Sequence, residues 1–180
     1  SSAAKEYLKI YGVLVGKKPL VFTNNDSGYE TAIEFKKNGV DPIVLDTRKD
    51  PNSEIIKEAK DLNINIKSSY VVVAAKGYKK VKSADIAKIS DDKKNLSNIE
   101  NIQCDCICVS GFWTPTIHLA SQSGNKTKFN DEIDAFIPSQ SKQKETTLGS
   151  ANGIFTLEET LKTSFEKGSE LSKQITNKEN

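Results

Sequence analysis

The turn after the first apolar run carries the side chains that first suggest chemistry in this sequence. Residues 21 to 48 read VFTNNDSGYETAIEFKKNGVDPIVLDTR: an apolar run, a helical pattern and a second apolar run that ends in Asp46. A dinucleotide-binding unit has this outline, with G-x-G-x-x-G in its first turn and an acid about 20 residues later for the ribose. Here the turn reads TNNDSG, so Thr23 and Asn25 stand where the first two glycines belong.

Those two replacements predict a unit that keeps the nucleotide-binding shape without the binding site. Glycine lets the backbone approach a pyrophosphate, whereas side chains at these positions crowd it, and Asp26 adds negative charge where an anion would sit. We interpret the turn as a helix entry capped by Ser27, with Glu30 completing a capping box. A modified turn, in which Asn24 or Asn25 donates to a ligand, stays open as the alternative.

Other polar or aromatic residues offer little independent chemistry. Asp46 could bind a ribose only together with the missing turn, so we interpret it as a turn residue. His118 is the only histidine, and no cysteine or carboxylate is placed in the sequence to form a dyad with it, so we expect a structural or interface role. Trp113 and Phe112 either cover the end of a strand or contact a partner. No catalytic residue is predicted.

The three cysteines alternate at Cys104, Cys106 and Cys108. On a strand they would all point to one face. The sequence has neither a C-x-x-C pair nor nearby histidines, so no metal site is predicted. We expect buried, reduced, unreactive thiols on a core strand. Reduced thiols suit a cytoplasmic protein.

Composition places the chain among globular domains of ordinary charge. It has 180 residues, 36% of them apolar and 28% charged, with a net charge of +2. That balance does not favour nucleic acid as a partner. No apolar run is long enough to span a membrane, and the first residues do not have the pattern of a secretory signal.

The order of helical and strand patterns predicts an α/β fold. Strands alternate with helices as far as INIK at residues 64–67, which implies a parallel sheet. Two β-type runs then meet near Gly77 as an antiparallel hairpin or meander, and CDCICVSG returns as a strand. After a linker-like stretch at 138–146, Thr156 and Glu159 form a possible capping box that opens a last helix. We therefore expect a Rossmann-like three-layer β-α-β domain with an antiparallel hairpin or meander, followed by a C-terminal strand-turn-helix.

Three stretches within this pattern resemble a known group of flavoenzymes. The order of elements is similar to the second half of the two-dinucleotide-binding-domain flavoproteins, in which a nucleotide-binding domain is inserted into an FAD-binding domain. Within that group, VFTNNDSGY, VSGFWTPTIHLASQSGNK and GSANGIFTLEE resemble the alpha subunit of heterotetrameric sarcosine oxidase. The middle stretch is the most specific, because Trp113, Pro115, His118 and Gln122 together have no generic explanation.

The resemblance covers residues 1 to 165 and implies an internal fragment of a much longer subunit. On this basis residues 1–124 are a degenerate NAD(P)-binding-like domain. Residues 125–180 are the segment that returns to the FAD/NAD-binding-type domain, with its terminal helix.

The resemblance also implies an activity, cofactors and partners. The family are oxidoreductases of one-carbon metabolism that oxidise sarcosine to glycine, pass the one-carbon unit to tetrahydrofolate and form hydrogen peroxide. NAD would lie in the parent alpha subunit, FAD in the beta subunit and FMN between alpha and beta, with beta, gamma and delta subunits as partners. The isolated fragment is expected to bind no cofactor and to carry no catalytic residue.

The turn GSANG is the remaining candidate for a cofactor contact. In the broader flavoprotein group this return turn carries Gly-Asp, whose aspartate holds a cofactor hydroxyl. Here Gly149, Ser150, Asn152 and Gly153 form the turn, and the aspartate is missing. Gly153 and the helix that follows it offer backbone N–H groups to a pyrophosphate. An ordinary turn and helix cap is the alternative.

Two functions follow from these observations. The first is a supporting part of the sarcosine oxidase alpha subunit. The second is a non-enzymatic Rossmann-like interaction domain that has lost nucleotide binding. A small NAD-dependent reductase is a poor third interpretation, since it needs a phosphate-binding turn and a proton donor that the sequence does not offer.

Overall fold

The structure, a computed structural model, describes residues 1–92, 94–111 and 113–176. The chain forms two compact units, Ser1–Phe112 and Trp113–Asn180, and each is described by itself. The predicted domain boundary after residue 124 stays a prediction. Along the described residues, every helix is too short or too polar to cross a lipid bilayer.

The first unit alternates helices and strands before an antiparallel insertion, as the sequence pattern predicts. Its helices are α1 (Ser2–Tyr11), α2 (Ser27–Lys37) and α3 (Glu54–Asp61). Its strands are β1 (Pro19–Thr23), β2 (Ile43–Asp46), β3 (Asn65–Ser68), β4 (Tyr70–Gly77), β5 (Val81–Lys88), β6 (Glu100–Gln103) and β7 (Cys106–Ser110).

Four of these strands make a parallel sheet in the order β3-β2-β1-β7. Its chain connections reverse direction between β1 and β7, because β2 and β3 extend the sheet to one side of β1 and β7 closes it on the other. Ligands of open α/β sheets bind at such a reversal, outside the carboxyl ends of the strands. The fold therefore places the turn after β1 at the usual binding position.

The core has two apolar clusters, one on each face of the parallel sheet. Alternate residues of β1 face opposite sides, with Val21 in the cluster that includes the helices and Leu20 in the cluster that includes the antiparallel sheet β4-β5-β6. Both side chains are fully buried. The three layers are thus helices, parallel sheet and antiparallel sheet, and the predicted α/β architecture is confirmed.

Helix α1 lies over α2 and ends where the sequence predicts. Gly12 follows it in the left-handed conformation, with φ 64°, and its N–H bonds to the Leu8 carbonyl. Residues with a side chain adopt this conformation rarely, so a glycine there ends the helix without strain.

The expectation that the three cysteines share one face is wrong. Strand β7 begins only at Cys106, and the chain bends at Asp105, whose carboxylate accepts hydrogen bonds from the Lys17 and Lys18 N–H groups at 2.8 Å each. Cys106 and Cys108 lie on the helix side of the sheet, whereas Cys104 packs into the cluster on the other side. Cys104 and Cys108 are buried, but Cys106 is only half-buried.

The second unit is smaller and contains a hairpin, a turn and a long helix. Its elements are α4 (His118–Gln122), β8 (Thr127–Asn130), β9 (Ala135–Pro138), a 3-10 helix (Gly149–Asn152) and α5 (Leu157–Thr176). Strands β8 and β9 pair antiparallel. The predicted capping box at the start of α5 is confirmed, since the Thr156 hydroxyl contacts the Glu159 carboxylate at 2.8 Å and accepts the Glu159 N–H at 3.4 Å.

Candidate functional site

The turn after β1 is filled by its own side chains. The Thr23 hydroxyl donates to the Asn25 carbonyl at 2.7 Å and accepts the Asn25 N–H at 3.2 Å. The Asn25 carboxamide oxygen accepts both the N–H and the hydroxyl of Ser27, at 3.0 and 2.7 Å. The N–H groups of residues 25 and 27, which a phosphate-binding turn would direct at a ligand, are therefore already occupied.

The same turn is bonded to the end of β7 across the reversal of the sheet. The Asn25 Nδ2 group donates to the Gly111 carbonyl at 2.5 Å, and the Asn24 N–H donates to the Ser110 carbonyl at 3.3 Å. The hydroxyls of Ser27 and Ser110 lie 2.6 Å apart. These bonds close the crevice in which a pyrophosphate would have to lie, and we call them the crevice bonds below.

Gly28 explains why the shape survives although the site does not. It stands at the third glycine position of G-x-G-x-x-G, which serves the close packing of helix on strand rather than phosphate contact. A Cβ atom at Gly28 would lie 2.5 Å from the Cβ of Thr23. Helix α2 therefore still packs directly on β1, while the two glycine positions that serve a phosphate have changed.

The expected capping box at Ser27 and Glu30 is wrong. The residue that caps α2 is Asp26, Ser27 is already the first residue of the helix, and Asp26 makes no capping hydrogen bond with its side chain. Ser27 instead bonds to Asn25 and Ser110, as described above. Glu30 forms an ion pair with Lys5 of α1. It therefore takes part in a contact between two helices rather than in a cap. The alternative that Asn25 donates to a ligand is also not supported, because its carboxamide is used within the protein.

Asp46 is fully buried and its carboxylate is saturated with protein donors. The Tyr29 hydroxyl donates to it at 2.8 Å. The backbone N–H of Arg48 donates at 2.9 Å, and its guanidinium reaches both carboxylate oxygens through Nε at 3.1 and 3.2 Å and through Nη2 at 2.8 Å. The same Nη2 lies 2.8 Å from Asp26 Oδ1. A ribose hydroxyl would have to displace these partners.

This group of four residues is electrostatically self-consistent. Burial raises the pKa of Tyr29, and the hydrogen bond to the Asp46 carboxylate raises it further. Hydrogen bonds to Asp46 and Asp26 raise the pKa of Arg48 against its partial burial. A neutral phenol and a charged guanidinium are therefore the stable forms of Tyr29 and Arg48, and neither group is poised to exchange a proton near neutral pH.

Sequence reasoning missed the partners that determine the role of Asp46. Arg48 lies only two residues further on, and an opposite charge so close to a strand-end acid was a signal for an internal ion pair. Tyr29 and Ser110 gave no such signal, because their positions depend on the packing of α2 and on a strand that returns 80 residues after the turn.

The turn at 149–153 in the second unit is a tight 3-10 turn. Gly149 and Gly153 both have left-handed backbones, with φ 62° and 81°. A Cβ atom at Gly153 would lie 2.7 Å from Ile133 Cδ1 and 3.2 Å from Ile137 Cγ2, and one at Gly149 would lie 3.1 Å from Thr160 Cγ2. The close approach at both glycines is thus to this unit's own side chains.

The other two residues of the turn are more accessible. Ser150 is exposed and Asn152 is half-buried, and the Asn152 side chain makes no hydrogen bond to the described residues of its unit. Next to them, the first turn of α5 carries Glu158 and Glu159. Two carboxylates at a helix N-terminus oppose a second anion there, so the turn suits a neutral group better than a pyrophosphate.

Phe112 lies outside the described residues, and His118 and Trp113 lie in the second unit, outside the turn at 149–153. Both are exposed, Trp113 with 61% of its surface accessible. His118 is the first residue of the short helix α4. Among the described residues, no cluster of three or more His, Cys, Asp or Glu side chains is arranged to hold a metal ion.

Comparison with known proteins relates the chain to an oxidoreductase subunit. It is 27% identical over 154 residues to sarcosine oxidase subunit alpha of Corynebacterium sp. (strain U-96), which covers 86% of this chain and 16% of the relative. It is 30% identical over 153 residues to the same subunit of Rhizobium meliloti (strain 1021), which covers 84% of this chain and 14% of the relative. The predicted resemblance is confirmed, and the chain spans about a sixth of the length of these relatives. No protein-family model matches the chain.

Solved structures with a similar fold are more distant in sequence. The thioredoxin reductase of T. acidophilum aligns with a TM-score of 0.54 at 15% identity, over 76% of this chain and 47% of that one. The bacillithiol disulfide reductase of Staphylococcus aureus aligns with a TM-score of 0.56 at 14% identity, over 77% of this chain and 47% of that one. These likenesses show the fold, which is the Rossmann-type fold of the thioredoxin reductase group.

Proposed function

We propose that this chain is a supporting domain of a sarcosine oxidase alpha-type subunit, in which a nucleotide-binding fold has become a structural one. The enzyme that it serves would oxidise sarcosine to glycine, transfer the one-carbon unit to tetrahydrofolate and form hydrogen peroxide. The chain supplies no catalytic group to that reaction. A reducing compartment such as the cytoplasm suits its free thiols.

The observation that carries this proposal is the set of crevice bonds after β1. A dinucleotide site needs free N–H groups, room for a pyrophosphate and an acid that is open to the ribose. Here the N–H groups of the turn donate to side chains, and Asn25 is hydrogen-bonded across the crevice to the residue after β7. The acid, Asp46, is buried and paired with Arg48. The residues at this position do not fit NAD or NADP, so no step of the reaction is derived through a nucleotide there.

The experiment is a titration of the isolated chain with NAD and with NADP. Isothermal titration calorimetry at millimolar ligand should give no binding heat beyond dilution. A domain with an intact G-x-G-x-x-G turn, titrated under the same conditions, serves as the positive control. Micromolar affinity for either nucleotide would overturn the proposal.

Exposed apolar surface supports a role inside a larger assembly. Helix α5 has 20 residues, and none of its side chains is buried among the described residues of its own unit. Five large apolar side chains are exposed along it: Leu157, Leu161, Phe165, Leu171 and Ile175. Helix α1 likewise leaves Tyr7, Ile10 and Tyr11 more than half exposed. Contiguous apolar surface of this kind marks interaction sites, and we assign it to the rest of the alpha subunit and to the beta, gamma and delta subunits.

For the complete subunit we propose that the turn at 149–153 contacts bound NAD, while FAD and FMN bind elsewhere in the holoenzyme. Gly149 and Gly153 fix the shape of the turn, and Ser150 and Asn152 present a hydroxyl and a neutral amide. Such groups suit a ribose or carboxamide portion of the cofactor, because the neighbouring glutamates disfavour its phosphates.

This cofactor assignment is tested by the NAD that purified subunits release on denaturation. Asn152→Ala should weaken the retention of NAD by about one hydrogen bond, ~1 kcal/mol or roughly fivefold in affinity. Asp46→Ala should leave the retention of NAD unchanged in the fraction of the variant protein that folds. Gly153→Val should also reduce retention, and its melting temperature has to be measured alongside, because a side chain there meets Ile133. If Asp46→Ala strips the NAD and Gly153→Val does not, the cofactor lies in the other unit.

The alternative is an interaction domain with no place in an oxidase. The same crevice bonds favour it, since they remove nucleotide binding in either case. Affinity purification separates the two: co-purification with flavoprotein subunits supports the oxidase, and recovery with partners that carry no flavin supports the alternative.

A further inference from the structure

Strand β7 holds two sulfur atoms side by side at the edge of the parallel sheet. The sheet order ends with β7, and Cys106 and Cys108 lie two residues apart on its helix side. Their Sγ atoms are 3.7 Å apart, within the range of a sulfur hydrogen bond. Nothing in the proposed supporting role requires such a pair.

The two thiols differ in accessibility. Cys108 is 4% exposed and lies in the core, whereas Cys106 is half-buried at its margin. Position 16 is a glycine, and a Cβ atom there would lie 2.7 Å from the Cβ of Cys106. The backbone of residue 16 therefore packs directly against the Cys106 side chain, which leaves it half-buried rather than fully covered. The third thiol, Cys104, is 3% exposed on the opposite side of the sheet.

We propose that Cys106 is a site of oxidative modification by hydroperoxides, with Cys108 as the hydrogen-bond donor that stabilises its thiolate. Reactive cysteines are half-exposed thiols with a neighbouring group that favours the charged form. Cys106 combines both features, and the other two cysteines lack the first.

The electrostatic surroundings support this division of roles. A hydrogen bond from Cys108 lowers the pKa of Cys106 to about 7, although partial burial and the Asp105 carboxylate act in the opposite direction. The pKa of Cys108 is raised by its bond to the Cys106 sulfur and by burial. Because Cys108 is the more deeply buried of the two and a charge is disfavoured there, we assign the thiolate to Cys106 and the donor proton to Cys108.

The chemistry is a two-electron oxidation of one sulfur. The Cys106 thiolate attacks the O–O bond of the hydroperoxide, an S–O bond forms and the O–O bond breaks. The released alkoxide, or hydroxide in the case of hydrogen peroxide, takes a proton from solvent and leaves as alcohol or water. The sulfur is oxidised to a sulfenic acid and the peroxide is reduced.

The primary test is the rate of alkylation by iodoacetamide as a function of pH. The native protein should show one fast equivalent, at Cys106, whose rate rises through pH of about 7, while the other two thiols react only after denaturation. Cys106→Ala should remove the fast phase. Cys104→Ala is the matched control and should leave it unchanged.

Two replacements of Cys108 distinguish activation from a merely structural role. Cys108→Ser keeps a donor of similar size and should keep the fast rate. Cys108→Ala removes the donor and should slow the reaction at pH 7 by about five- to tenfold, because the lost thiolate fraction outweighs the gain in nucleophilicity. Equal rates for the alanine and serine variants, or a fast phase that survives Cys106→Ala, would overturn the proposal.

The second test is exposure of the folded protein to hydrogen peroxide in the presence of a 1,3-dione that traps sulfenic acids. Fragmentation of the peptide that contains all three cysteines should place the adduct on Cys106. An adduct confined to Cys104, or none in a protein that remains folded, would contradict the assignment.

Discussion

At residue 46 a single carboxylate is held by four donor groups, one from Tyr29 and three from Arg48. Its ion pair with Arg48 is one-third exposed on the arginine side and fully buried on the aspartate side. Loss of one partner of a buried pair leaves an uncompensated polar group, which is strongly destabilising, though the exposure of Arg48 reduces the effect.

We therefore expect Asp46→Asn to lower the free energy of unfolding by about 2 kcal/mol, measured by urea denaturation. Asp50→Asn, at an exposed acid of the same loop, should change it by less than about 0.5 kcal/mol. Equal values for the two variants would mean that the network around Asp46 contributes nothing.

Tyr29 gives the stability of the first unit a dependence on alkaline pH. Burial and the hydrogen bond to Asp46 hold its pKa above the usual value of about 10. Below that value both folded and unfolded states are protonated and the stabilisation is complete. As the pH rises further, the unfolded tyrosine loses its proton while the folded one keeps it, so stability falls by up to about 1.4 kcal/mol per pH unit. Tyr29→Phe should flatten this slope between pH 9 and 11, and Tyr78→Phe, at a 93% exposed residue, should not.

Among the elements, α2 and β1 depend on a glycine that no ligand requires. Gly28→Ala would force a Cβ against Thr23 and should destabilise the protein by about 2 kcal/mol through overpacking. Gly168→Ala is the matched control, because nothing lies within 4 Å of its Cβ position in the middle of α5. It should stabilise by about 0.5 to 1 kcal/mol through helix propensity. Thermal melts that show the same sign for both variants would contradict this account.

Helices and strands could be predicted from the sequence better than the contacts between residues that lie far apart in it. The alternation of strands and helices, the glycine after α1 and the cap of α5 follow from local patterns, and each lies where expected. The face on which Cys104 lies and the residue that caps α2 could not be predicted from local patterns, because both depend on contacts between residues far apart in the sequence. Asp105 anchors the segment before β1, and Ser27 is bonded to Ser110. The loss of the phosphate site could be predicted from the missing glycines. The hydrogen bonds that close the crevice could not be predicted.

At the scale of the whole molecule, the exposed apolar side chains of α5 form the surface that we propose for assembly with other parts of the enzyme. Phe165→Glu should reduce binding of a hydrophobic dye to the isolated chain, because 78% of this side chain is exposed there. Under the proposed function, the same change in the complete subunit should lower the yield of assembled oxidase, since it would place a charge in the proposed apolar interface. Lys162→Glu introduces the same charge on the polar side of the helix and should do neither. An assembled oxidase that forms normally with Phe165→Glu would place the partner surface elsewhere.

The bond between Asn25 and Gly111 joins positions 86 residues apart, and this has a consequence for synthesis on the ribosome. Strand β1 leaves the ribosome long before β7. The edge of β1 that later pairs with β7 therefore has unpaired backbone groups while the antiparallel insertion is being synthesised. An edge with Leu20, Val21 and Phe22 is a ready template for pairing with another chain. A nascent chain that stalls before residue 106 would therefore be the species most in need of a chaperone, and codon changes that slow translation through the insertion should lower the soluble yield without altering the finished protein.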